Sequence, residues 1–166
     1  FYERAAEFYE RFAREYPRMD GTDCSDADRA ASLCPSAPDA LRNATLFRMG
    51  LGDTEQALAN AELFSTNYGR TRQRETAQVH FSIGAIYERT EQRDHTIRYY
   101  RHFLRDFART AAPHQIIQAN TAIGRAMWQQ DDQGGAASSF RAAAQAWQRG
   151  AAQRILGLED VSQEER

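Results

Sequence analysis

Four stretches of this chain repeat one helical phase, and that repetition constrains the fold more than any other feature. Ala5, Ala57, Thr96 and Ala136 each open a copy. Four residues on stand Tyr9, Ala61, Tyr100 and Phe140; seven on, Phe12, Phe64, Phe103 and Ala143; eleven on, Tyr16, Tyr68, Phe107 and Trp147. The last position is aromatic in every copy. Offsets of four, seven and eleven lie on one face of an α-helix, so each copy reads as an amphipathic helix. The copies are spaced by 52, 39 and 40 residues. Such a period means helical hairpins stacked in a row.

The segments ahead of the third and fourth copies agree with each other. Ile83-Gly84 and Ile123-Gly124 stand 13 and 12 residues before Thr96 and Ala136. A glycine inside a helix costs about 1 kcal/mol relative to alanine. Two at one phase predict a neighbouring helix that passes too close for a Cβ. Gly50-Leu51-Gly52-Asp53 reads as a turn with Asp53 or Thr54 as the following N-cap, and the stretch from Gln129 to Gly135 reads the same way. No strand-like alternation bounded by hairpin turns occurs in the sequence.

These residues carry a family resemblance. Gly52-Asp53 followed by Ala57, Ala61, Phe64 and Tyr68-Gly69 resembles the second helix of a tetratricopeptide repeat, and Ile83-Gly84-x-x-Tyr87 resembles the first. The resemblance implies an all-α, right-handed superhelical solenoid of antiparallel helix pairs. It covers most of the chain, read as one segment of a longer protein. Residues 1–17 are the second helix of a truncated repeat, 18–37 a cysteine-containing insert, 38–72, 73–112 and 113–150 three helix pairs, and 151–166 a tail or the start of another helix. The period departs from the family's, at 39–40 residues rather than about 34. That implies helices longer by a turn or looser connections, in a variant similar to tetratricopeptide proteins of the bacterial cell envelope.

The resemblance also implies where partners bind, in a concave groove lined by the first helix of each pair. Carried over residue by residue, the contacting positions are Asp39, Arg42, Leu46 and Met49; Gln78, Phe81, Ala85 and Glu88; Gln118, Thr121, Arg125 and Trp128. Met49, Phe81 and Trp128 are candidate apolar anchors, equally readable as core. Arg42 and Arg125 are candidates for pairing an acidic side chain or a C-terminal carboxylate. The family's carboxylate clamp uses lysine. All 21 basic residues here are arginine, so chaperone-tail recognition of that kind is not expected.

Charge and motifs narrow the function classes. The net charge is -2, from 21 basic and 23 acidic side chains, so the chain lacks the basic footprint of a nucleic-acid binder. No apolar run approaches the roughly 18 residues of a membrane span. Residues 70–109 hold nine arginines against five acids, whereas 18–40 hold five acids against two arginines. Arg98, Arg101 and Arg105 share one helix face, read either as a solvated face or as a patch for an acidic partner or a phospholipid headgroup. His80, His95, His102 and His114 have no metal-ligand spacing, and no GxGxxG, GxxxxGK[ST] or GxSxG occurs. No metal, cofactor or catalytic residue is expected. Cys24 and Cys34 sit ten apart. They are either a disulfide, which would imply a periplasmic or extracellular location, or two free thiols.

The expected function is a non-enzymatic scaffold that binds a peptide or protein partner, an acidic one if the arginines are used, in a bacterial envelope assembly. The alternatives are a regulatory or substrate-recruiting module of a larger enzyme, a cytoplasmic adaptor, or a structural spacer.

Overall fold

The computed structural model describes residues 1–19, 21, 24, 25, 27, 34 and 36–164, with side chains described through residue 150. Among the described residues there are seven α-helices and no strand: α1 (Tyr2–Glu15), α2 (Ala37–Leu51), α3 (Thr54–Tyr68), α4 (Gln73–Arg89), α5 (Arg93–Phe107), α6 (Pro113–Trp128) and α7 (Gln133–Glu164). The chain is all-α, as its periodicity predicts. It divides into two compact units, Phe1–Ile83 and Gly84–Arg166, with the boundary inside α4. Most of the expected insert, 18–37, lies outside the described residues. At the other end, α7 runs on through Glu164.

In the first unit α1 packs on α2, and α2 on α3. Ser36 starts α2 by accepting a hydrogen bond from Asp39 N at 3.3 Å, with proline in the first turn. Gly52, in the left-handed region at φ 80, ends it, and Asp53 caps α3 by accepting from Gln56 N at 3.3 Å. The whole repeated stripe of α3 is buried: Ala57, Ala61, Phe64 and Tyr68. Tyr68 Oη donates to Pro17 O at 2.9 Å, tying α3 to the chain beyond α1. Cys24 and Cys34 lie at disulfide distance, with Cα atoms 5.9 Å apart, so the paired reading of the two cysteines is the one that fits. Ala37 N donates to Met19 O across the mouth of the same loop.

A buried charge network joins all three helices. Glu10 of α1 is 5% exposed. Arg48 of α2 donates to its two oxygens from Nε and Nη2, each at 2.8 Å, and Asn60 Nδ2 of α3 donates to Oε1 at 2.8 Å. Arg48 Nη1 reaches Asp53 Oδ2 at 3.3 Å. Burial opposes the Glu10 charge, but the hydrogen bonds of Arg48 and Asn60 and the nearby guanidinium charge outweigh it and hold the carboxyl below its usual range.

In the second unit α5 packs on α6, and α6 on α7. Gly84 faces the ring of Tyr100, and Gly124 the ring of Phe140, which is the close approach the paired glycines predict. Bonds between turns add to the packing: Arg93 Nε donates to Gln129 Oε1 at 3.0 Å and Gln130 Nε2 to Asp94 Oδ1 at 2.7 Å.

The hairpin turns share one backbone pattern. Gly52, Glu91 and Asp131 all have positive φ, at 80, 56 and 62. After each, the next amide bonds back across the turn: Asp53 N to Arg48 O, Gln92 N to Tyr87 O, Asp132 N to Met127 O. This is the Schellman closure of a helix. The second helices also end alike, Tyr68 O accepting from Thr71 and Arg72 N, and Phe107 O from Thr110 and Ala111 N.

Burial of the repeated face differs between copies. Tyr100 and Phe103 are 1% and 0% exposed, but Tyr16 is 50%, Phe140 39% and Trp147 58% exposed. The shared phase therefore does not make the eleven-on aromatic a core residue in α1 and α7.

Candidate interaction site

In the first unit, two of the helices expected to line a groove do form a common surface. A hollow of about 110 Å³ opens between α2 and α4, lined by Arg42, Thr45 and Leu46 from one and Gln78, Val79 and Ser82 from the other. Three of these, Arg42, Leu46 and Gln78, are residues the sequence singles out. Leu46 is 47% exposed and Val79 is buried, giving the hollow an aliphatic rim and floor. The hydroxyls beside them are used locally, Thr45 Oγ1 donating to Leu41 O at 2.8 Å and Ser82 Oγ to Gln78 O at 3.0 Å. The exposed Gln78 carboxamide and Arg42 supply the polar edge. Met49 is buried, so the apolar anchor on α2 is Leu46. Phe81 is half-buried and does not line the hollow.

In the second unit a larger hollow, about 340 Å³, is lined by Arg125, Trp128, Gln129 and Phe140. Trp128 is 59% exposed, the one expected anchor that stands open to solvent. Glu88 lies beside this surface through an ion pair with Arg125 Nη2. Gln118 is exposed, and Thr121 turns its hydroxyl back to Ile117 O at 2.8 Å. Phe140 and Gln129 are the lining residues outside the expected set: the phase of Phe140 places it with the repeated aromatics, and Gln129 reads as the start of a turn.

Both arginines expected to meet a carboxylate already hold one. Arg42 pairs with Asp39 at 2.9 Å, and Arg125 with Glu88. Each pair is substantially exposed, and exposed pairs contribute only about 0–1 kcal/mol. Exchange for a partner's carboxylate is therefore cheap.

The arginine face of α5 is not uniform. Arg98 and Arg101 are exposed, and Arg101 Nη2 reaches Met127 Sδ at 3.9 Å. Arg105 is engaged by Asp106 Oδ1 at 2.7 Å and by His102 Nδ1 at 2.5 Å, and its hydrogen bond and charge interaction with Asp106 raise its pKa further above the usual range. The remaining histidines are dispersed: His80 Nε2 lies 2.7 Å from Ser65 Oγ, and His95 stacks on Tyr87. Among the described residues no group of three His, Cys, Asp or Glu side chains gathers to hold a metal, and no helix is long and apolar enough to cross a membrane. Neither the protein-family models nor the curated proteins compared with this chain match it.

Proposed function

We propose that the protein is a non-enzymatic interaction scaffold of the tetratricopeptide type, its helix hairpins continuing as a solenoid, which binds an extended peptide or partner protein along the first helices of its pairs. The observation that carries this reading is the α2–α4 hollow, where Arg42, Leu46 and Gln78 converge from helices some 30 residues apart in sequence. Its size suits one aliphatic side chain, and its polar edge suits the backbone or an acidic neighbour. The Cys24–Cys34 pair at disulfide distance supports an oxidising location such as the bacterial periplasm, and hence a role in an envelope assembly.

The test is site-specific photo-crosslinking in the native cell from position 46, with the exposed Glu62 on α3 as the control position. A discrete adduct from position 46 that is absent from position 62, and lost when Gln78→Arg fills the hollow, supports the reading. No adduct from position 46, or equal adducts from both, overturns it.

A further inference from the structure

Several arginines of this chain hold carboxylates: Arg42, Arg48, Arg72 and Arg125 each have one within ion-pair distance. The helix α5 is different. Its buried residues are Thr96, Ile97, Tyr100 and Phe103. Opposite them Arg98, Arg101, His102 and Arg105 stand exposed on one face, which the exposed Arg109 extends into the following turn. Residues 94–109 hold four arginines and two aspartates, and both aspartates are already engaged. Asp94 Oδ1 accepts from Gln130 Nε2 at 2.7 Å, and Asp106 is held by Arg105 at 2.7 Å and by His102 at 2.9 Å. Among the described residues Arg98 and Arg109 hold no carboxylate, and Arg101 Nη2 reaches Met127 Sδ instead of one.

From this we infer that the outer face of α5 docks a short acidic segment of a partner protein, whose carboxylates pair with Arg98, Arg101 and Arg109. Charge complementarity carries the assignment: a guanidinium fork matches a carboxylate, and the stripe from Arg98 to Arg109 runs about 16 Å at the rise of a helix. Two other anionic partners feel the same attraction, and the face suits neither. Anionic membranes hold amphipathic helices by apolar insertion together with charge. Among the described residues no large hydrophobic side chain is exposed between Leu51 and Trp128. Single-stranded nucleic acid needs rings on which bases stack. On this helix Tyr99 packs against Tyr87 and His95 stacks on Tyr87, and the net charge of -2 opposes a long polyanion. A short segment senses mainly the charge within about 8 Å, the Debye length at physiological salt, where arginine is in excess. This surface does not rest on the reading of the α2–α4 hollow.

The probe is a fluorescein-labelled peptide of about twelve glutamates, long enough to span the stripe even as a helix. It is titrated with the full chain at physiological salt and read by anisotropy, beside a glycine–serine peptide of the same length. Arg98→Glu combined with Arg109→Glu reverses the stripe. Arg4→Glu combined with Arg11→Glu, at exposed positions of α1, changes the net charge equally and serves as the control. Expected are saturable binding of the glutamate peptide, none of the neutral one, and roughly tenfold weaker binding to the stripe variant, with the control unchanged. Circular dichroism checks folding, and Arg98→Gln combined with Arg109→Gln, a milder change, should show the same loss in smaller measure. Absence of saturable binding overturns the proposal, as does equal weakening in the stripe and control variants. Phosphatidylglycerol vesicles and a labelled single-stranded oligonucleotide are tested in parallel. If either binds more tightly than the glutamate peptide and is lost in the stripe variant, the occupant is a membrane or a nucleic acid and the assignment to an acidic protein segment falls.

Discussion

A Cβ added to Gly84 would stand 2.7 Å from Cδ1 of Tyr100, closer than real Cβ atoms come to a neighbour, and Tyr100 is 1% exposed. Gly124 is in the same position against Phe140, at 2.8 Å from Cδ1, but that ring is 39% exposed. Overpacking a closed core costs about 1–3 kcal/mol, against roughly 1 kcal/mol gained in helix propensity. Gly84→Ala should therefore destabilise the protein, whereas Gly124→Ala should be near neutral because Phe140 can swing outward. Urea unfolding of the two variants checks this; equal losses would show that exposure does not govern how the rings yield.

The turns give a second contrast. Glu91 and Asp131 sit at positive φ, where a non-glycine residue is held about 1–2 kcal/mol above its preferred region. Glu91→Gly should raise stability by up to about 1 kcal/mol. Asp131→Gly should gain less, since aspartate tolerates the left-handed region better. Gly52→Ala should lose about 1 kcal/mol. Chemical denaturation midpoints order the three.

Removing one partner of a buried pair leaves an uncompensated charge and costs about 3–5 kcal/mol. Arg48→Met should show that loss at neutral pH, and Glu10→Met combined with Arg48→Met should lose less than Arg48→Met alone. The pH dependence carries a sign. The folded Glu10 carboxyl lies below its usual range, so in the native protein its contribution is present above the unfolded value of about 4.3 and is lost as pH falls through the lower folded value. In Arg48→Met burial acts without the guanidinium and raises that pKa, so the penalty should grow as pH rises from 4 to 7. Stability measured at both pH values in both proteins tests the reversal.

Cys24 and Cys34 close a loop of ten-residue separation. The chain-entropy relation for such a loop gives about 2–3 kcal/mol. Cys34→Ser should lower stability by that amount under oxidising conditions and change nothing in the presence of reductant, where the native chain falls to match it. Thiol titration of denatured protein prepared without reductant should find none free.

Spacing was enough to read the helices, because phase on a helix fixes which residues share a face. The two Ile-Gly pairs pointed to a close neighbour, which the structure shows to be the rings of Tyr100 and Phe140. Thr45 and Ala61 show how the third pair escaped notice. They stand at the same separation of 16 residues as Gly84 and Tyr100, both buried, with the bulk moved to the first helix and the small residue to the second. Phase says nothing about whether a neighbour covers that face, so Tyr16 and Trp147 stand exposed although they share the phase of the buried Tyr68, and Met49, readable as anchor or as core, is buried. Glu10 was illegible for another reason: its partners lie 38 and 50 residues away, and no local pattern links a lone glutamate to them. At the two hollows, Arg42, Leu46 and Gln78 came from a family resemblance, whereas Phe140 needed the structure, which leaves its ring 39% exposed.

Glycine, glutamate and aspartate close the three hairpins with the same bonds. The bend is thus imposed by the helices that meet there, and the residue at its apex only pays a conformational toll. A position governed in this way is free to drift. Over long divergence such hairpins would keep their shape while losing the glycines by which sequence comparison finds them, and inserted or deleted residues between pairs would blur the period further.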